Sequence, residues 1–403
     1  MAYLSRRVFE FPPQPNRFLS VLMAILAIAS HNAHAQSSKP SPSVRKLSDV
    51  TIYSDDKFYS AFPSIVTRRD RELIVAFRRA PERRKLGEPG VSHTDANSYL
   101  VLVRSQDGGK TWSQNPELIS AHPFGGSQDP CMVQLRDGSL ICSSYAWAWI
   151  QADAVAKMKK VVHYGNFAFL GGYLVRSRDG GHSWGAPIEP PPCAGETVYD
   201  IFGKPVPAYN RGAMCEGKDG RLYWVVASNT LTNSQQTETH LMISSDKGQS
   251  WRYSCPIAQE PKFSINESSL YQTPKGDLVV FMRTESFNDH TIVARSTDAG
   301  KSFEHWIDTG FKGHPHHAIQ LPDKRVLLVY GYRHVPYGIR ARVLDPECTH
   351  FDTEEIVLRD DGGNGDLGYP WVTLISKKRA LAVYYFNRKD GTRHIAGTFL
   401  EIR

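Results

Sequence analysis

Arginine stands at the edges of several apolar runs in this 403-residue sequence. Arg78, Arg283 and Arg333 each follow such a run, and Arg211 comes just before one. The planar guanidinium group binds a carboxylate through two parallel hydrogen bonds, so a cluster of these four side chains would suit an anionic ligand. The alternative is that each arginine pairs only with a neighbouring acidic residue.

A second set of polar and aromatic residues opens the apolar runs. Its members are Asp129, Glu267, His317 and Tyr369. Together with the arginines, they would form a site of mixed charge if the elements that carry them converge. The arrangement of the chain into repeated units determines whether they do.

The chain contains four copies of an octapeptide, Ser-x-Asp-x-Gly-x-(Ser/Thr)-(Trp/Phe), at residues 105–112, 177–184, 244–251 and 296–303. Each copy follows an apolar alternating run that is typical of a strand, so the motif is expected at a hairpin tip. There the Asp accepts bonds from the amides of the turn, and the Gly supplies a positive φ. We therefore assign the four Asp side chains, Asp107, Asp179, Asp246 and Asp298, to turn stabilisation.

Six longer units accompany these motifs, and each consists of an apolar strand, a short polar turn and another apolar strand. They predict an all-β fold, a six-bladed β-propeller. We expect residues 50–53 to supply the outermost strand of the last blade, which removes the exposed sheet edge. In such a ring the innermost strand starts, and the second strand ends, at the same mouth of the central channel. Both sets of residues should meet at that mouth.

The octapeptides resemble the Asp-boxes, or BNR repeats, of the sialidase (neuraminidase) superfamily, and the resemblance extends from about residue 45 to the end. It implies a secreted exo-glycosidase that hydrolyses terminal sialic acid or a related anionic sugar with a Tyr nucleophile. The family's Asn-Glu-Ser, followed by an Arg about 16 residues later, matches Asn266-Glu267-Ser268 and Arg283. The resemblance gives Glu267 the role of polarising the Tyr, and Arg283 that of binding the substrate carboxylate.

The resemblance also assigns the other members of the site. The nucleophile corresponds to Tyr369, which opens the last blade as Tyr-Pro-Trp-Val-Thr. For the arginine of the fifth blade we choose Arg333 over Arg340, because its position in the blade matches that of Arg283. The acid/base Asp is expected in the loop of residues 80–98, where we choose Asp95. The alternative for Asp95 is a turn-forming residue.

The sequence departs from the family at the first blade, where Ala61-Phe62-Pro63 replaces Arg-Ile-Pro and removes one arginine. Tyr385 replaces the Glu that supports this arginine in the family. Because the arginine and its supporting glutamate are both absent, no unpaired charge remains from this ion pair. Arg78 would reach the same ligand from a different position. The resemblance therefore favours an anionic sugar without specifying sialic acid, and the expected substrate-binding residues are Arg78, Asp129, Arg211, Arg283, Arg333 and His317.

Two other functions remain compatible with the sequence. His93 and the histidines at 314, 316 and 317 favour a propeller lyase, or another exo-glycosidase, acting on uronate-containing polysaccharides. A non-catalytic glycan-binding propeller is the third possibility. In each case the partner is an anionic glycan, and the insert at 146–172 is expected to form a wall of the pocket. Its Trp147 and Trp149 would either stack on a sugar ring or pack in the core.

The N-terminus is expected to direct export. Three arginines precede an apolar stretch at 18–29, and Ala33-His34-Ala35 provides a cleavage site after Ala35. We therefore predict a signal peptide over 1–35, a flexible segment over 36–48, a propeller over 49–403, and a secreted or periplasmic location. Removal of the leader, which contains three basic residues and Glu10, lowers the formal net charge from +7 to +5.

The remaining expectations concern partners and cofactors. Export makes a nucleic-acid partner improbable, and the apolar stretch is too short to be a membrane anchor. The six cysteines are scattered without a Cys-x-x-Cys pair, so we expect no zinc site and at most one disulfide bridge. No metal, no cofactor and a monomeric state are predicted.

Overall fold

The second strands of the repeated units are continuous apolar runs, which is typical of strands covered on both faces. In the third unit all seven residues of Leu222–Ser228 are buried. The computed structural model describes residues 43–403, apart from 89–91, 159–160, 162, 165 and 230–235. The predicted signal peptide at 1–35 and residues 36–42 lie outside the described residues.

The described chain forms six antiparallel sheets, which are the six blades of a β-propeller. Strand β1 is Val44–Tyr53. Blade 1 contains β2 Phe58–Thr67, β3 Leu73–Pro81, β4 Tyr99–Ser105 and β5 Glu117–Ser120. Blade 2 contains β6 Gly126–Ser127, β7 Cys131–Gln134, β8 Leu140–Trp149, β9 His163–Tyr164 and β10 Phe167–Ser177. Blade 3 contains β11 Cys215–Glu216, β12 Leu222–Ser228, β13 Glu238–Ser244 and β14 Arg252–Ala258.

The second half of the chain repeats the pattern. Blade 4 contains β15 Ser264–Gln272, β16 Leu278–Glu285, β17 His290–Ser296 and β18 Ile307–Lys312. Blade 5 contains β19 His316–Gln320, β20 Val326–Tyr332, β21 Gly338–Leu344 and β22 Ile356–Arg359. Blade 6 contains β23 Gly368–Ser376, β24 Arg379–Asn387 and β25 Arg393–Ile402. The helical segments among the described residues are a short α1, Ala152–Val155, and two 3₁₀ turns, Arg83–Leu86 and Ser92–Thr94.

Strand β1 closes the ring by pairing with the last strand of the chain. Its register runs from Val44 opposite Ile402 to Tyr53 opposite Ile395, which confirms that the N-terminal segment supplies the outermost strand of blade 6. The strand begins at Val44, before the predicted propeller start at residue 49. Residues 44–48 were expected to be flexible, and that expectation was wrong because they are paired with β25. The six-bladed β-propeller predicted from the repeats is confirmed.

The apolar core lies between neighbouring blades. Val75 and Phe77 of blade 1 are fully buried in one cluster with Leu381 and Val383 of blade 6. Truncating one such side chain to Ala costs about 2–5 kcal/mol, so each sheet depends on its neighbours for stability.

Three octapeptides connect the third strand of a blade to the fourth, at a hairpin tip as predicted, and the copy at 177–184 follows β10, after which Ile188 bridges back to Leu174. In the second copy Asp179 Oδ1 accepts bonds from the amides of His182 at 3.1 Å and Ser183 at 2.9 Å, and from Ser177 Oγ at 2.7 Å. In the first copy Gly109 has φ +91°, and a Cβ there would lie 3.0 Å from Leu381 Cδ2 of the neighbouring blade. The Asp stabilises the turn, and the glycine allows the turn to pack closely against the next blade.

Two chain-wide properties complete the description. Across the described ranges no helix is long and apolar enough to cross a membrane. All six cysteines are free thiols, and all except the half-buried Cys215 are buried. No disulfide bridge joins any two of these six described residues in this structure.

Candidate active site at the channel mouth

The innermost strands of blades 1, 4 and 6 contain a bulge at the same position. Ala61 pairs with Arg78, Asn266 with Arg283 and Gly368 with Tyr385, and the ladder shifts immediately afterwards. The next residue in each blade has a positive φ: 57° at Phe62, 42° at Glu267 and 52° at Tyr369. Positive φ at a non-glycine residue costs about 1–3 kcal/mol and is concentrated at functional sites.

Two of these strained residues form the centre of the candidate site. Tyr369 Oη donates a hydrogen bond of 2.5 Å to Glu267 Oε1. Arg283 Nη1 donates to Glu267 Oε2 and lies 3.5 Å from Tyr369 Oη. The structure thus brings a phenol, a carboxylate and a guanidinium group from blades 6 and 4 into mutual contact.

The pKa shifts of this pair have opposite signs. Burial and the Glu267 charge raise the pKa of Tyr369 well above its usual range, although Arg283 and Arg333 oppose this. Burial also opposes ionisation of Glu267, but Arg283, the Tyr369 hydroxyl and Arg333 outweigh it and lower the pKa of Glu267 to about 2. At rest the proton therefore belongs to Tyr369, and Glu267 is an anion ready to accept a hydrogen bond.

Arg333 reaches the same centre from blade 5. Its guanidinium carbon lies 5.0 Å from the centre of the Tyr369 ring, and its Nη2 donates to Tyr385 Oη at 3.2 Å. Its Nε donates to the Leu367 carbonyl at 3.1 Å, which leaves Nη1 with no hydrogen-bond partner within the described ranges. Arg333 is therefore held in place with one nitrogen available to a ligand.

The predicted equivalence of Arg333 and Arg283 within their blades is wrong. Gln272 pairs with Leu278 and Gln320 with Val326 across turns of equal length, so the position that matches Arg283 in blade 5 is Gly331. Arg333 lies two positions further along the chain, just after the end of β20.

His317 is correspondingly deeper in the blade than Glu267. Its ring stacks on Trp371 at a centroid distance of 4.1 Å, and its Nδ1 accepts a hydrogen bond from the Val372 amide at 3.2 Å. The structure thus places His317, which was predicted to bind substrate, in the packing between blades 5 and 6. It does not bring His317 together with the residues around Tyr369.

Arg211 supports the backbone of the candidate nucleophile. Its Nη2 donates to the Tyr369 carbonyl at 3.0 Å and to the Pro63 carbonyl at 3.2 Å, and its guanidinium carbon lies 4.8 Å from the Tyr369 ring centre. The side chain is buried, and its Nε and Nη1 have no hydrogen-bond partner among the described residues. Arg211 therefore braces blades 1 and 6 at the strained position.

Arg78 is fully buried, and its three nitrogens have no hydrogen-bond partner in the described part of the chain. Its guanidinium carbon lies 5.6 Å from the Tyr59 ring centre and 5.8 Å from that of Phe62. Burial lowers the pKa of Arg78, and the nearby Asp129 and Asp95 oppose that effect. Of the four predicted arginines, Arg78, Arg211 and Arg333 take part in no ion pair between described residues.

Asp129 and Asp95 lie near Arg78 but in different surroundings. Asp129 Oδ2 accepts from Tyr145 Oη at 3.1 Å, and burial together with the Glu267 charge raises the pKa of Asp129 to about 6. Asp95 receives Arg83 Nε at 2.6 Å and Nη2 at 3.1 Å.

The Asp95 carboxylate also accepts from the Asn97 amide at 2.8 Å, and only 2% of its surface is exposed. Asp95 therefore adopts the turn geometry that was left open as the alternative. It is held by Arg83 instead of facing the channel.

Two residues of the mouth were not among the predicted site residues. Asp366 accepts hydrogen bonds from Tyr59 Oη at 2.9 Å, Tyr385 Oη at 2.9 Å and Arg393 Nε at 2.8 Å. It lies in the loop before β23, outside the repeated units, so the repeats gave no signal for it. His93 is in the same loop as Asp95, and its ring centre is 5.1 Å from that of Phe62.

A cavity of about 180 Å³ opens beside Glu267 and Arg211. Its walls are mainly aromatic: Tyr145, Trp147 and Phe169 of blade 2 and Tyr209 before blade 3, with Asn210 and, from blade 4, Asn266. Of the two tryptophans of the insert, Trp147 lines this cavity, whereas Trp149 is exposed and does not. Within the described ranges no group of three or more His, Cys, Asp or Glu side chains is arranged to hold a metal ion.

Comparisons with known proteins agree with this fold. The model of the BNR repeat-like domain family matches residues 155–379. A solved structure of a protein of unknown function from Dyadobacter fermentans DSM 18053 is 54% identical, with a TM-score of 0.87. That alignment covers 90% of this chain and all of the other. No curated protein sequence matches the chain.

More distant structures share the fold alone. The NanB sialidase from Streptococcus pneumoniae is 14% identical, with a TM-score of 0.59, over 89% of this chain and 70% of the other. An alpha-L-arabinanase from Penicillium chrysogenum is 13% identical, with a TM-score of 0.60, over 89% and 99%. One is named a sialidase and the other an arabinanase, and the propeller of this chain is similar in fold to theirs.

Proposed function

Because the chain belongs to the BNR repeat-like domain family and has the propeller fold of glycoside hydrolases, we propose that it hydrolyses the glycosidic bond of an anionic sugar. Tyr369 is the proposed nucleophile. The observation that carries the proposal is the contact of Tyr369 Oη with Glu267 Oε1 at 2.5 Å, beside Arg283.

The anionic substrate explains the choice of nucleophile. A carboxylate on or near the anomeric carbon would repel an Asp or Glu nucleophile, whereas the Tyr hydroxyl is neutral until it reacts. As Tyr369 Oη bonds to the anomeric carbon, its proton passes to Glu267, and the glycosidic C–O bond breaks with the electron pair on the departing oxygen. Water then attacks the anomeric carbon and gives up one proton, which balances the proton taken up by the departing oxygen, and Tyr369 recovers its own proton from Glu267. Two inversions give net retention of configuration.

Guanidinium groups that form no ion pair between described residues favour an anionic ligand. Arg333 and Arg78 are without an ion pair among the described residues, and Arg333 Nη1 is available beside Tyr369. A guanidinium group binds a carboxylate with a net gain of about 1.5–3 kcal/mol. Sialic acid, a related 2-keto sugar acid or a uronic acid would each supply this group.

The protein is proposed to act outside the cytoplasmic membrane as a monomer. The support for export is the basic, then apolar, then small-residue pattern of residues 1–35 in the sequence. Mass spectrometry of the protein recovered from culture medium and periplasm would test it, and an N-terminus at Gln36 is expected.

Hydrolysis is tested with a panel of aryl glycosides of sialic acid, 3-deoxy-octulosonic acid and uronic acids. Turnover of at least one is expected, with retention of configuration visible by NMR in the first-formed product. Tyr369→Phe should lower kcat by about 10³-fold or more, because it removes the attacking oxygen. Glu267→Gln should lower it by about 10²–10⁴-fold.

Tyr384→Phe is the matched control. Tyr384 is the neighbour of Tyr385 and is equally buried, but its hydroxyl contacts Thr398 Oγ1 at 2.6 Å, away from the mouth. This variant should lose about 1 kcal/mol of stability and keep its kcat. Wild-type turnover that persists in Tyr369→Phe would contradict the proposed nucleophile.

A lyase acting on uronate polysaccharides is the second candidate, and His93 favours it. Its imidazole lies within the electrostatic reach of Arg78 and Arg333. A base beside a guanidinium-bound carboxylate can remove the proton α to that carboxylate, after which the C4–O bond breaks. The unsaturated uronate formed absorbs near 235 nm, as its conjugated double bond requires. Hydrolysis yields no such product, so absorbance during incubation distinguishes the two reactions.

A further inference from the structure

Glycoside hydrolysis requires a group that donates a proton to the departing oxygen and later removes one from water. The carboxylates near Tyr369 are already engaged. Asp95 is bound by Arg83 through two hydrogen bonds and is nearly inaccessible. Asp366 accepts bonds from Tyr59, Tyr385 and Arg393.

Asp129 is no better placed for proton transfer to a ligand. Only 1% of the residue is exposed, and its Oδ1 is enclosed without a hydrogen-bond partner among the described residues. Its other oxygen, Oδ2, accepts from Tyr145 Oη at 3.1 Å. A donor to the departing oxygen must be within hydrogen-bond reach of substrate, and neither oxygen of Asp129 is free for that contact.

His93 differs from these three residues in accessibility. It lies in the 3₁₀ turn Ser92–Thr94 and is an exposed residue, and neither ring nitrogen is hydrogen-bonded to a described residue. The edge of its ring meets Phe62 at a centroid distance of 5.1 Å and an interplanar angle of 89°. Phe62 in turn contacts Tyr369 at 4.7 Å and Tyr385 at 5.0 Å. One ring therefore separates His93 from the candidate nucleophile.

The charges that act on His93 are those of the candidate site. The protein around the ring desolvates it, and this, with the charges of Arg78 and Arg333, lowers the pKa of His93 below its usual range. Asp366 and Glu267 oppose that effect. An anion bound by Arg333 would offset its positive charge and so favour the protonated ring at the moment when a proton is needed.

We propose that His93 is the acid/base residue of the site, an inference that rests on the proposed function. As the glycosidic bond breaks, one ring nitrogen of protonated His93 gives its proton to the departing oxygen. The neutral ring then takes a proton from the water that attacks the anomeric carbon, which restores the starting state. Phe62 orients the imidazole, and Asp95 with Arg83 fixes the loop that carries it.

The experiment compares His93→Gln and His93→Ala on two substrates that share one sugar. One substrate has a 4-nitrophenyl leaving group, which departs without a proton, and the other has a methyl or sugar leaving group, which needs one. Loss of the acid should reduce kcat/KM about 10²–10⁴-fold on the second substrate and less than about 10-fold on the first. His350→Gln, at an exposed position remote from the mouth, is the control and should behave like wild type.

A second readout separates a catalytic role from a structural one. With the 4-nitrophenyl substrate the first step is fast and hydrolysis is slow in the variants, so a glycosylated form of the intact protein should accumulate. Asp95→Asn should instead lower activity equally on both substrates, because it disturbs only the loop. Equal losses in the His93 variants, or leaving-group dependence in Asp95→Asn, would overturn the inference. Absence of wild-type turnover on every substrate would instead reject the proposed function.

Discussion

Tyr369 and Glu267 are 102 positions apart in the chain, yet the phenol of one donates a 2.5 Å hydrogen bond to the carboxylate of the other. Both residues follow a bulge at the mouth end of an innermost strand, and both have a positive φ. A bulge re-aims a side chain that would otherwise stand on one face of the sheet, and here it accompanies the meeting of the Tyr369 and Glu267 side chains. The blades therefore share one backbone arrangement, and the chemistry depends on which residue follows the bulge in the innermost strand of each blade.

Arg211 is expected to act as a positioning residue for Tyr369. It binds the Tyr369 and Pro63 carbonyls and thereby holds the strained backbone. Arg211→Met should lower kcat about 10–100-fold with little change in KM, because the Tyr oxygen loses its alignment while the substrate-binding groups remain. Steady-state kinetics on the best substrate would test this, and a rise in KM at constant kcat would contradict it.

Asp129 should make the stability of the protein depend on pH. Burial raises its folded-state pKa to about 6, above the unfolded value near 3.9. Its contribution is therefore fully present below about pH 4 and is lost as pH rises through about 6. Asp129→Asn removes the titration and keeps an acceptor for Tyr145.

The measurement is denaturant unfolding of the two proteins at pH 4 and pH 8. Relative to wild type, the Asp129→Asn variant should gain up to about 3 kcal/mol between these two values, as a shift of about two pKa units requires. A difference between the two proteins that does not change with pH would show that Asp129 does not titrate in this range.

The site positions of the first, fourth and sixth blades could be predicted closely from the sequence, because the paired residues of their first two strands are equally far apart in the chain. Glu267 follows Asn266, which pairs with Arg283, just as Tyr369 follows Gly368, which pairs with Tyr385. Ring closure by the N-terminal segment could also be predicted, since an unpaired edge in the last unit needs a strand.

The register of the fifth blade, and with it the position of Arg333, could not be predicted from the sequence. Two alignments of the same apolar run with the fourth blade are equally compatible with its hydrophobic pattern. Matching His316 and His317 to Asn266 and Glu267 places Arg333 opposite Arg283, whereas the equal turn lengths in the structure place Gly331 there. A two-residue shift preserves the alternation of side chains, so the hydrophobic pattern does not reveal it. Asp366 was missed for another reason, namely that its loop belongs to no repeat.

Asp246 of the third octapeptide is expected to contribute stability without affecting the reaction. Its carboxylate accepts from the Ser250 amide at 2.9 Å, the Gln249 amide at 3.0 Å and Ser250 Oγ at 2.6 Å. Asp246→Ala should cost about 2 kcal/mol, because two amides lose their acceptor. Thermal unfolding and kcat/KM measured on the same sample would test this, and reduced activity at unchanged stability would contradict it.

The six cysteines are expected to behave as unreactive thiols in the folded protein. All are free, five are buried, and burial raises the pKa of Cys131 to about 12. A thiol reagent should label them slowly in buffer and should label all six in denaturant, because the thiolate is the reactive form. A reductant should leave the melting temperature unchanged. A melting temperature that falls with reductant would indicate a disulfide in the isolated protein.

Arg333 should determine whether the enzyme requires a carboxylate on its substrate. Arg333→Ala is expected to reduce kcat/KM about 10–100-fold on the acidic glycoside, since a charge-assisted bond of about 1.5–3 kcal/mol is lost. On the methyl ester of the same glycoside, the wild-type and variant proteins should differ by less than about 3-fold, because an ester carries no charge for the guanidinium group to bind.

On the acidic glycoside, the kcat/KM of Arg333→Lys should lie between those of the wild type and Arg333→Ala. The lysine keeps the charge but loses the planar fork that binds Leu367 and Tyr385. The exposed Arg388→Ala variant is the control for a general loss of positive charge. Equal losses on acid and ester would mean that Arg333 supports Tyr385 instead of binding the substrate anion.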